Sequence, residues 1–588
     1  MIHHELETQL IRALAAVLPD VDPAAIQVRP CPEPRFGDYQ ASALMGLAKA
    51  RRMNPRQLAA EVVAKLDVGQ WCEPVEIAGP GFLNFKLKTE ALNAAITQMA
   101  GEERLVEPSS HPRTVVVDFS SPNVAKPMHV GHIRSTCIGD AIQRVLRLLG
   151  HRVVTDNHLG DWGTQFGKLI VGWKELLDRQ ALDRDPIAEL ERLYRMVNQE
   201  CEENPDRLEQ AREELVKLQA GDEENGAIWK EMARLSQAQF DTLYGRMGVQ
   251  FDHALGESFY NEALPAVVED MMNKGIARES EGAAAVFSDG SLPPREDPFL
   301  VNRDGEWVAE PALIRKSDGG FNYMTTDLAT IDHRLRTWQP DEIVYVVDDR
   351  QAPHFRKLFL TFARWQPAAA DRVRLRHIGF GKILGEDGRP FKTRSGDTVK
   401  LSVLLDEAEE RALKVVTEKN PALTEAERRE VARVVGIGAI KYADLSPNRQ
   451  SDYQFSWEKM LSLQGNTGVY LQYAYTRIRS IFRKAAEEGV AVDAGARIEA
   501  GEPDEQALAK HLLRFGLTLE YIVEEYRPNY LCAYLYELAG LYSRFYESCP
   551  VLKSAEPQRS SRLKLCELAG RVLKCGLNTL GIETLEQM

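Results

Sequence analysis

The stretch VVVDFSSPNVAKPMHVGHIRSTCIGDAIQRVLRLLGHRVVTDN, from Val115 to Asn157, decides the fold. It opens with a β-branched run, turns through a polar loop, continues with helical periodicity to Gly150 and then enters a second β-branched run. A strand, a helix and a strand in direct succession predict a right-handed βαβ unit and therefore a parallel sheet. Ligands of such sheets bind at the carboxyl ends of the strands, which places the polar loop at a candidate site.

Charged helix formers interrupt this pattern from about residue 173 to 282. Runs such as ELERLYRMVNQECEENPDRLEQAREELVKL predict a solvated helical insertion. Strand signals return in AAAVFSD (283–289) and FNYMTTD (321–327), and DEIVYVVDD (341–349) predicts a buried strand ahead of a helix in HFRKLFLTFARW. The parallel sheet is therefore expected to resume after the insertion.

The length of 588 residues exceeds what one hydrophobic core supports, so several domains are expected. Residues 1–110 mix helical and strand-like runs and predict a small α/β domain, whereas the chain beyond about Leu401 is almost wholly helical. We predict a multidomain α/β chain with four parts. They are an N-terminal α/β domain (1–110), a Rossmann-like domain (111–385), a loop with a helical connector (386–455) and an all-α bundle (456–588).

The net charge, the cysteine spacing and the lack of long apolar runs exclude several classes of protein. A formal charge of -14 argues against indiscriminate binding of nucleic acid, so any such partner has to meet local basic patches. The eight cysteines include no C-x-x-C pair, which indicates neither a disulfide framework nor a zinc knuckle, and we expect no structural metal. Because no run of 18 apolar residues and no cleavage signal is present, we expect a soluble, untargeted protein with no membrane partner.

Two histidines begin the first predicted helix, in HVGH from His129 to His132. Imidazole donors beside the free N–H groups of a helix N-terminus suit an α-phosphate that gains negative charge in a transition state. Gly131 between them would let a flat base approach the backbone. The alternatives are a metal-binding pair and a structural turn. The lack of a third ligand nearby weakens the case for zinc.

A second polar segment is the loop GRPFKTRSGD, from Gly388 to Asp397. Lys392 and Arg394 alternate there with Thr393 and Ser395, and such cations and hydroxyls could clamp the β- and γ-phosphates of a nucleotide. An ordinary solvated basic loop is the alternative.

Six segments together resemble the bacterial-type arginyl-tRNA synthetases, a family of class I aminoacyl-tRNA synthetases, and they span most of the chain. They are DFSSPNVAKPMHVGHIRSTCIGDA, NHLGDWGTQFGKLI, GESFYNEAL, RKSDGGFNYMTTDLA, GRPFKTRSGDTVKL and GNTGVYLQYAYTRIRSIFRK. The resemblance implies ATP-dependent activation of L-arginine and transfer to the 3′ end of arginine tRNA, with Mg²⁺ arriving on ATP. It further implies a cytoplasmic monomer in which activation needs bound tRNA.

The resemblance assigns catalytic roles residue by residue. His129, Gly131 and His132 match the HIGH motif, and Lys392 and Ser395 match a degenerate KMSKS motif. Arg394 stands where that motif usually has its second lysine, and Lys126 is expected to supply part of the missing charge. The implied ATP-binding residues are Pro122, His129, Gly131, His132 and Lys392.

The amino-acid pocket can also be argued from chemistry, since a planar guanidinium pairs best with carboxylates arranged for two hydrogen bonds. Asp118 and Asp327 are the candidates, with Tyr323 beside the guanidinium, and they match the family pocket. Asp118 could instead be a strand-end capping acid. Further matches are Asn123 and Gln351 for the α-amino end, and His158, Asp161 and Gln165 for the pocket and the ATP side. A structural Gly-rich turn is the alternative for Asp161.

Aromatic and basic residues at helical spacing mark the C-terminal part: Tyr470, Tyr473, Arg477, Arg479 and Arg483. Arginines could pair with phosphates while tyrosines stack on unpaired bases, although an aromatic stripe in the bundle core is the alternative for both tyrosines. By resemblance this part reads the anticodon. The N-terminal domain, with Phe36 and Tyr39, is implied to contact the tRNA elbow.

Three other functions compete with this interpretation. The first is a synthetase for another amino acid: the two aspartates disfavour an acidic substrate, and the lack of clustered Cys and His disfavours a zinc-dependent cysteinyl enzyme. A non-catalytic tRNA-binding paralogue is disfavoured by the intact HVGH and Lys392. A small-molecule nucleotidylyltransferase would leave the long helical C-terminal part without a purpose.

Overall fold

The structure is a computed structural model that describes residues 1–391, 398–490, 493 and 495–588. Three residues singled out above, Lys392, Arg394 and Ser395, lie outside these ranges.

The N-terminal part is a small sheet covered by helices. Its strands, in the sheet order β1-β2-β4-β3 and all antiparallel, are β1 (Arg29–Pro30), β2 (Tyr39–Ala41), β3 (Glu76–Ala78) and β4 (Phe82–Phe85). Its helices are α1 (Ile2–Val17), α2 (Ala43–Arg51), α3 (Pro55–Val63) and α4 (Thr89–Gly101). Two short 3₁₀ helices, Pro23–Ala25 and Pro34–Phe36, lie between α1 and β2. The expected α/β character of this part is confirmed.

The structure contradicts the prediction that Tyr39 contacts RNA. Alternation along β2 turns Tyr39 toward the core, where it pairs across the sheet with Phe85 and is 2% exposed. Phe36, the other predicted RNA contact in this part, remains on the surface below the guanidinium of Arg35.

The stretch from Val115 to Asn157 folds as predicted, into β5 (Thr114–Phe119), α5 (Val130–Leu148) and β6 (Arg152–Asp156). β5 and β6 pair in parallel. The second neighbour of β5 comes from far along the chain, where Glu342–Val346 pairs with it in parallel and is buried throughout. The predicted resumption of the sheet in this segment is confirmed.

Five helices follow β6: α6 (Gln165–Leu176), α7 (Arg179–Arg184), α8 (Pro186–Glu203), α9 (Pro205–Gln219) and α10 (Glu223–Met247). They are the predicted helical insertion. After α10 the chain returns to the sheet, where His253 bridges Asp156, and then continues into a 3₁₀ helix (Glu257–Ala263) and α11 (Leu264–Asn273).

The strand predicted at 283–289 exists but belongs to a separate antiparallel sheet of order β11-β8-β7 with an adjoining hairpin. These strands are β7 (Ala277–Ser280), β8 (Ala283–Val286), β9 (Leu300–Arg303), β10 (Glu306–Ala309) and β11 (Ala312–Arg315). The prediction of a strand in FNYMTTD is wrong, because α12 (Tyr323–Trp338) begins there. The β-branched Thr325 and Thr326 fit in the helix because their hydroxyls donate hydrogen bonds to the backbone carbonyls of Ile314 and Asn322.

The parallel sheet is completed by β12 (Glu342–Val346) and β13 (Arg374–His377), in the order β13-β12-β5-β6. A 3₁₀ helix (Asp349–Gln351), α13 (Ala352–Trp365) and α14 (Pro367–Ala370) connect the last two strands. A two-stranded parallel ladder of β14 (Ile383–Leu384) and β15 (Tyr453–Gln454) joins this domain to the helical part that follows.

The rest of the chain is helical, as predicted. Its helices are α15 (Leu401–Lys419), α16 (Glu425–Leu445), α17 (Trp457–Met460), α18 (Gly468–Glu487), α19 (Pro503–Leu513), α20 (Phe515–Glu525), α21 (Asn529–Ser548) and α22 (Gln558–Thr579). This bundle packs on the N-terminal part, where Lys510 pairs with Asp38 and Asn93 accepts from the backbone of Ala500. None of the helices in the described ranges combines the length and the apolar character needed to cross a bilayer.

Candidate active site

The loop that follows β5 is strained and firmly held. Ser120, Ser121 and Ala125 have φ angles of 77°, 50° and 61°, in the left-handed region where a residue with a side chain costs about 1–3 kcal/mol. Three backbone N–H groups of the loop donate to side chains from other segments, namely Ser120 to Ser135 (2.8 Å), Ser121 to Asn157 (3.0 Å) and Ala125 to Ser236 (2.9 Å). The insertion helix α10, which carries Ser236, thus helps to fix the loop at the sheet edge.

The two histidines of the HVGH motif are neutral hydrogen-bond donors. Nδ1 of His129 accepts from the N–H of Gly131 (3.1 Å), and Nδ1 of His132 accepts from the N–H of His129 (3.1 Å). Each Nδ1 is therefore unprotonated and each Nε2 carries the hydrogen. Burial lowers the pKa of both rings, and that of His132 falls to about 3. The pair can donate hydrogen bonds to an anion without bringing a positive charge.

The chain beyond residue 397 returns to this motif. The backbone of Lys400 bridges that of His129, the N–H of Val130 donates to the carbonyl of Val399, and the N–H of Leu401 donates to that of Met128. Residues 399–401, which follow the second polar segment in the sequence, therefore lie beside the HVGH motif.

Helix α8 of the insertion lies next to both segments. Nζ of Lys126 lies 5.3 Å from the ring centroid of Tyr194, and Nζ of Lys400 pairs with Glu191 at 2.9 Å. One insertion helix thus contacts Lys126, ahead of the HVGH motif, and Lys400, which follows the second polar segment in the sequence.

An acidic pocket lies at the start of α12, with Tyr323 and Asp327 on the helix and Glu257 facing them. The charges of Glu257 and Asp327 both act on Tyr323, whose side chain is 70% exposed. The carboxylate of Asp327 accepts a hydrogen bond from Nε2 of His354 at 2.6 Å, which orients it. Sequence reasoning missed Glu257 and His354, although the quoted segment GESFYNEAL contains the glutamate.

Glu257 is the most perturbed carboxyl group of this pocket. Burial raises its pKa, and the neighbouring charges of Asp327 and Asp161 raise it further, to about 8. A carboxyl group in this state gains from a cation placed beside it, because the cation offsets both effects. A positive group placed beside Glu257 would therefore be stabilised.

Asp161 positions Glu257. Its carboxylate accepts from the N–H (2.8 Å) and the hydroxyl (2.6 Å) of Ser258, and the N–H of Glu257 donates to the carbonyl of Leu159 (3.0 Å). A Cβ on Gly256 would lie 2.2 Å from the Asp161 carboxyl carbon, so only glycine fits there. The segments NHLGDWGTQ and GESFYN thus form one unit, and Asp161 is part of a specific contact.

The remaining predicted pocket residues line the same edge. Asn123 bridges Gly160 across the loop, and a Cβ on Gly160 would lie 2.2 Å from the Asn123 side-chain oxygen. Pro122 is buried and its carbonyl accepts from Gly160. Gln351 is exposed at the end of the 3₁₀ helix before α13. The other two lie as follows: His158 packs 5.7 Å from Tyr260, and Gln165 begins α6.

Asp118 departs from the predicted role of holding a guanidinium ligand. It is 4% exposed, and its carboxylate accepts from Arg334 of α12 (2.6 Å) and from the Ser121 hydroxyl (3.2 Å). Arg334 also bonds Asp156 at 2.8 Å. Burial alone would lower the pKa of Arg334, yet the two aspartates hold it well above its usual value. Asp118 is thus neutralised inside the protein by a guanidinium that the chain supplies.

Replacing Arg334 by leucine is expected to lower the free energy of unfolding by about 3–5 kcal/mol, because two buried carboxylates then lose their cation. Urea denaturation followed by tryptophan fluorescence measures the shift. The matched control is Arg336→Leu on the same helix, where the ion pair with Asp332 is exposed at the arginine and contributes less than about 1 kcal/mol. Equal shifts for both variants would contradict a structural role for Arg334.

The predicted RNA-facing residues of α18 divide into two groups. Tyr473 and Arg477 are exposed, and the exposed Tyr536 lies 5.7 Å from Tyr470, which is half-buried. By contrast, Arg479 donates a hydrogen bond to the carboxylate of Glu586 (2.6 Å), and Arg483 donates one to the backbone carbonyl of the same residue (2.8 Å). Tyr475 is the tyrosine of α18 that is buried in the bundle core. The aromatic core stripe considered as an alternative above therefore does not include Tyr473, which is exposed.

Three family models match the chain in succession. They are the arginyl tRNA synthetase N terminal domain (residues 4–87), the tRNA synthetases class I (R) catalytic domain (95–457) and the DALR anticodon binding domain (471–588).

Curated relatives and solved structures agree with these matches. The chain is 46% identical to the arginine--tRNA ligase of Chromobacterium violaceum, covering 100% of both chains, and 45% identical to that of Hahella chejuensis, covering 99% of both. It is 27% identical to the arginyl-tRNA synthetase structures of Thermus thermophilus (TM-score 0.83, covering 100% of both chains) and Plasmodium falciparum (TM-score 0.81, covering 100% of this chain and 99% of that one). The similarity extends over the whole length in each case.

Proposed function

Because the chain belongs to the class I arginyl-tRNA synthetase family, we propose that Glu257, Asp327 and Tyr323 form its arginine pocket. The chain is an arginine--tRNA ligase: it activates L-arginine with ATP and transfers it to arginine tRNA. The main support for this pocket is the raised pKa of Glu257 beside Asp327. A cation bound there would be stabilised, and the guanidinium of arginine is such a cation.

The pocket suits a guanidinium better than an ammonium group. Two carboxylates on different segments can accept hydrogen bonds from different N–H groups of one planar guanidinium, and the exposed ring of Tyr323 could stack on it. His354 fixes Asp327 and Asp161 fixes the segment of Glu257, so the geometry exists before the ligand binds. Asn123 and Gln351 are proposed to bind the α-amino end. Glu257 takes the place that the sequence analysis gave to Asp118.

The ATP site is proposed to lie along the HVGH loop, with Pro122, Gly131 and the two histidines beside the nucleotide. The Nε2–H groups of His129 and His132 would donate to the α-phosphate, where negative charge grows in the transition state. Lys126 and Lys392 would neutralise the β- and γ-phosphates, the hydroxyl of Ser395 would donate a hydrogen bond to them, and Mg²⁺ would arrive on ATP.

The reaction that follows from this placement is an in-line displacement. A carboxylate oxygen of arginine attacks the α-phosphorus of ATP, the bond to the pyrophosphate oxygen breaks, and arginyl-adenylate and pyrophosphate form. A terminal hydroxyl of the tRNA then attacks the activated carbonyl carbon and releases AMP. Positioning and electrostatics supply the catalysis, and no covalent enzyme intermediate is needed.

The tRNA is proposed to contact two surfaces. On the helical part, Tyr473, Arg477 and Tyr536 offer exposed rings and a cation that suit unpaired bases and phosphates of an anticodon loop, with Tyr470 behind them. On the N-terminal part, Phe36 offers an exposed ring for the tRNA elbow. Arg479 would have to leave Glu586 to reach RNA. A cytoplasmic location and a monomeric state complete the proposal.

The test is pyrophosphate exchange with and without tRNA, together with charging of total tRNA with each of the twenty amino acids. Exchange is expected only with arginine and only when arginine tRNA is present, because the proposal makes bound tRNA part of the activating state. Deacylated tRNA of a different specificity is the control. Robust exchange without tRNA would contradict the coupling, and charging with any other amino acid would contradict the pocket.

A further inference from the structure

Two histidines and a glutamate meet where the first helix packs on the helical bundle. His3 and His4 lie in the first turn of α1, and Glu520 lies on α20. Their side-chain ligand atoms all lie within 4.8 Å of one another. Within the part of the chain that the structure describes, no other group of three histidine, cysteine or acidic residues gathers this closely. None of the three residues belongs to the synthetase site.

The distances match those between ligands of one metal ion. Nε2 of His3 is 3.3 Å from one oxygen of Glu520, and Nε2 of His4 is 3.0 Å from the other. Zinc binds imidazole nitrogen and carboxylate oxygen at about 2.0–2.2 Å, so two ligands on a tetrahedral ion lie about 3.3 Å apart. An ion could therefore enter with small side-chain movements.

Hydrogen bonding alone leaves this cluster poorly satisfied. His3 is 1% exposed, its bond to Glu520 is long, and its Nδ1 is buried with no hydrogen-bond partner. The Nε2 atoms of the two imidazoles face the two oxygens of one carboxylate, so three potential ligand groups converge on one point. A metal ion would use the lone pairs of both Nε2 atoms and of the carboxylate at once.

The surroundings carry the charge that a divalent cation needs. Glu7 acts electrostatically on both histidines, and Glu107 lies 3.7 Å from Nδ1 of His4. A carboxylate that accepts from the second ring nitrogen is the usual outer partner of a metal-bound histidine. The α-amino group of Met1 also contacts Glu107 and offsets part of this charge. With neutral imidazoles, Glu7, Glu107 and Glu520 outweigh that one cation.

We propose that His3, His4 and Glu520 form a binding site for a divalent transition-metal ion, with Zn²⁺ as the best match to its two imidazoles and one carboxylate. Water would complete the coordination, since His4 is 40% exposed. The ion would tie α1 of the N-terminal part to α20 of the helical bundle, and its three ligands are separate from the residues proposed to bind arginine and ATP. This proposal replaces the expectation from sequence that the chain holds no metal.

The experiment is isothermal titration of Zn²⁺ into the full-length, metal-stripped chain carrying no affinity tag, because a histidine tag would itself bind the ion. The variants are His4→Ala and Glu520→Gln, which alter exposed or half-buried ligands and leave the buried His3 in place. His111→Ala, an exposed histidine outside the cluster, is the matched control. Arginine charging in Zn²⁺-free buffer that contains Mg²⁺ for ATP checks that each variant is folded.

We expect one Zn²⁺ per wild-type chain and per His111→Ala chain, with an affinity at least about tenfold lower in both cluster variants. Charging activity should stay at the wild-type level in all of them. Absence of stoichiometric binding in the wild type would overturn the proposal. Equal affinity in the wild type and both cluster variants would also overturn it, since the ion would then bind elsewhere, for instance at His129 and His132.

Discussion

Glu257→Gln is expected to lower kcat/KM for arginine by about 10²- to 10³-fold, which corresponds to about 3–4 kcal/mol, in the range found when one partner of a buried charge pair is removed. The amide keeps the shape of the side chain but loses the charge that pairs with the guanidinium. Aminoacylation kinetics at saturating ATP and tRNA measure the effect. Most of it should fall on KM, because the substrate guanidinium lies outside the reacting centre.

The matched control is Glu262→Gln, an exposed glutamate at the far end of the same 3₁₀ helix. It should leave both kinetic parameters within about twofold of the wild type. If the two variants behave alike, Glu257 does not hold the substrate, and the acidic pocket loses its assigned ligand.

The pH dependence of arginine binding tests the same group independently. The free chain holds Glu257 protonated below about pH 8, whereas the bound guanidinium requires it ionised. Binding therefore releases a proton below pH 8, so arginine affinity should rise with pH by up to about tenfold per unit and level off above pH 8. The slope should disappear in Glu257→Gln. A flat profile in the wild type would contradict the raised pKa.

His132→Ala should slow formation of arginyl-adenylate by about 10²-fold or more, as expected for loss of a donor that stabilises developing charge. Single-turnover activation in rapid-quench experiments isolates this step from tRNA transfer. Arginine affinity should stay near the wild-type value, because His132 lies in the first turn of α5 and the pocket carboxylates lie on other segments.

His132→Gln provides the control for loss of structure, since alanine also removes the acceptor of the His129 N–H. Glutamine keeps a donor near the position of Nε2, so it should recover part of the lost rate. The rate should also show no step near pH 6.5 at saturating arginine, because the pKa of His132 lies at about 3 and the ring stays neutral. Activation by His132→Ala at the wild-type rate would refute the role.

The ion pair of Asp118 with Arg334 shows why local sequence could not predict the role of Asp118. An aspartate at the carboxyl end of a central strand points toward the ligand edge of the sheet, so the sequence made it a candidate for the guanidinium. Arg334 lies 216 residues away, and only the packing of α12 against β5 brings its guanidinium within 2.6 Å of that carboxylate. Tyr39 failed for a similar reason, because the side on which a three-residue strand is buried depends on its neighbours.

By itself the sequence determined the parallel sheet, the helical insertion, the helical C-terminal part and the start of a helix at the HVGH motif, because these rest on long periodic patterns and on a contiguous motif. Only the tertiary structure decided which side chains surround Asp327, since Glu257, Asp161 and His354 come from separate segments of the chain. It also decided the ionisation of Glu257 and His132, because a pKa depends on burial and on charges that are distant in the chain. The local sequence pattern predicts helices and strands, whereas the energy of a buried charge depends on all the groups that the folded chain packs around it.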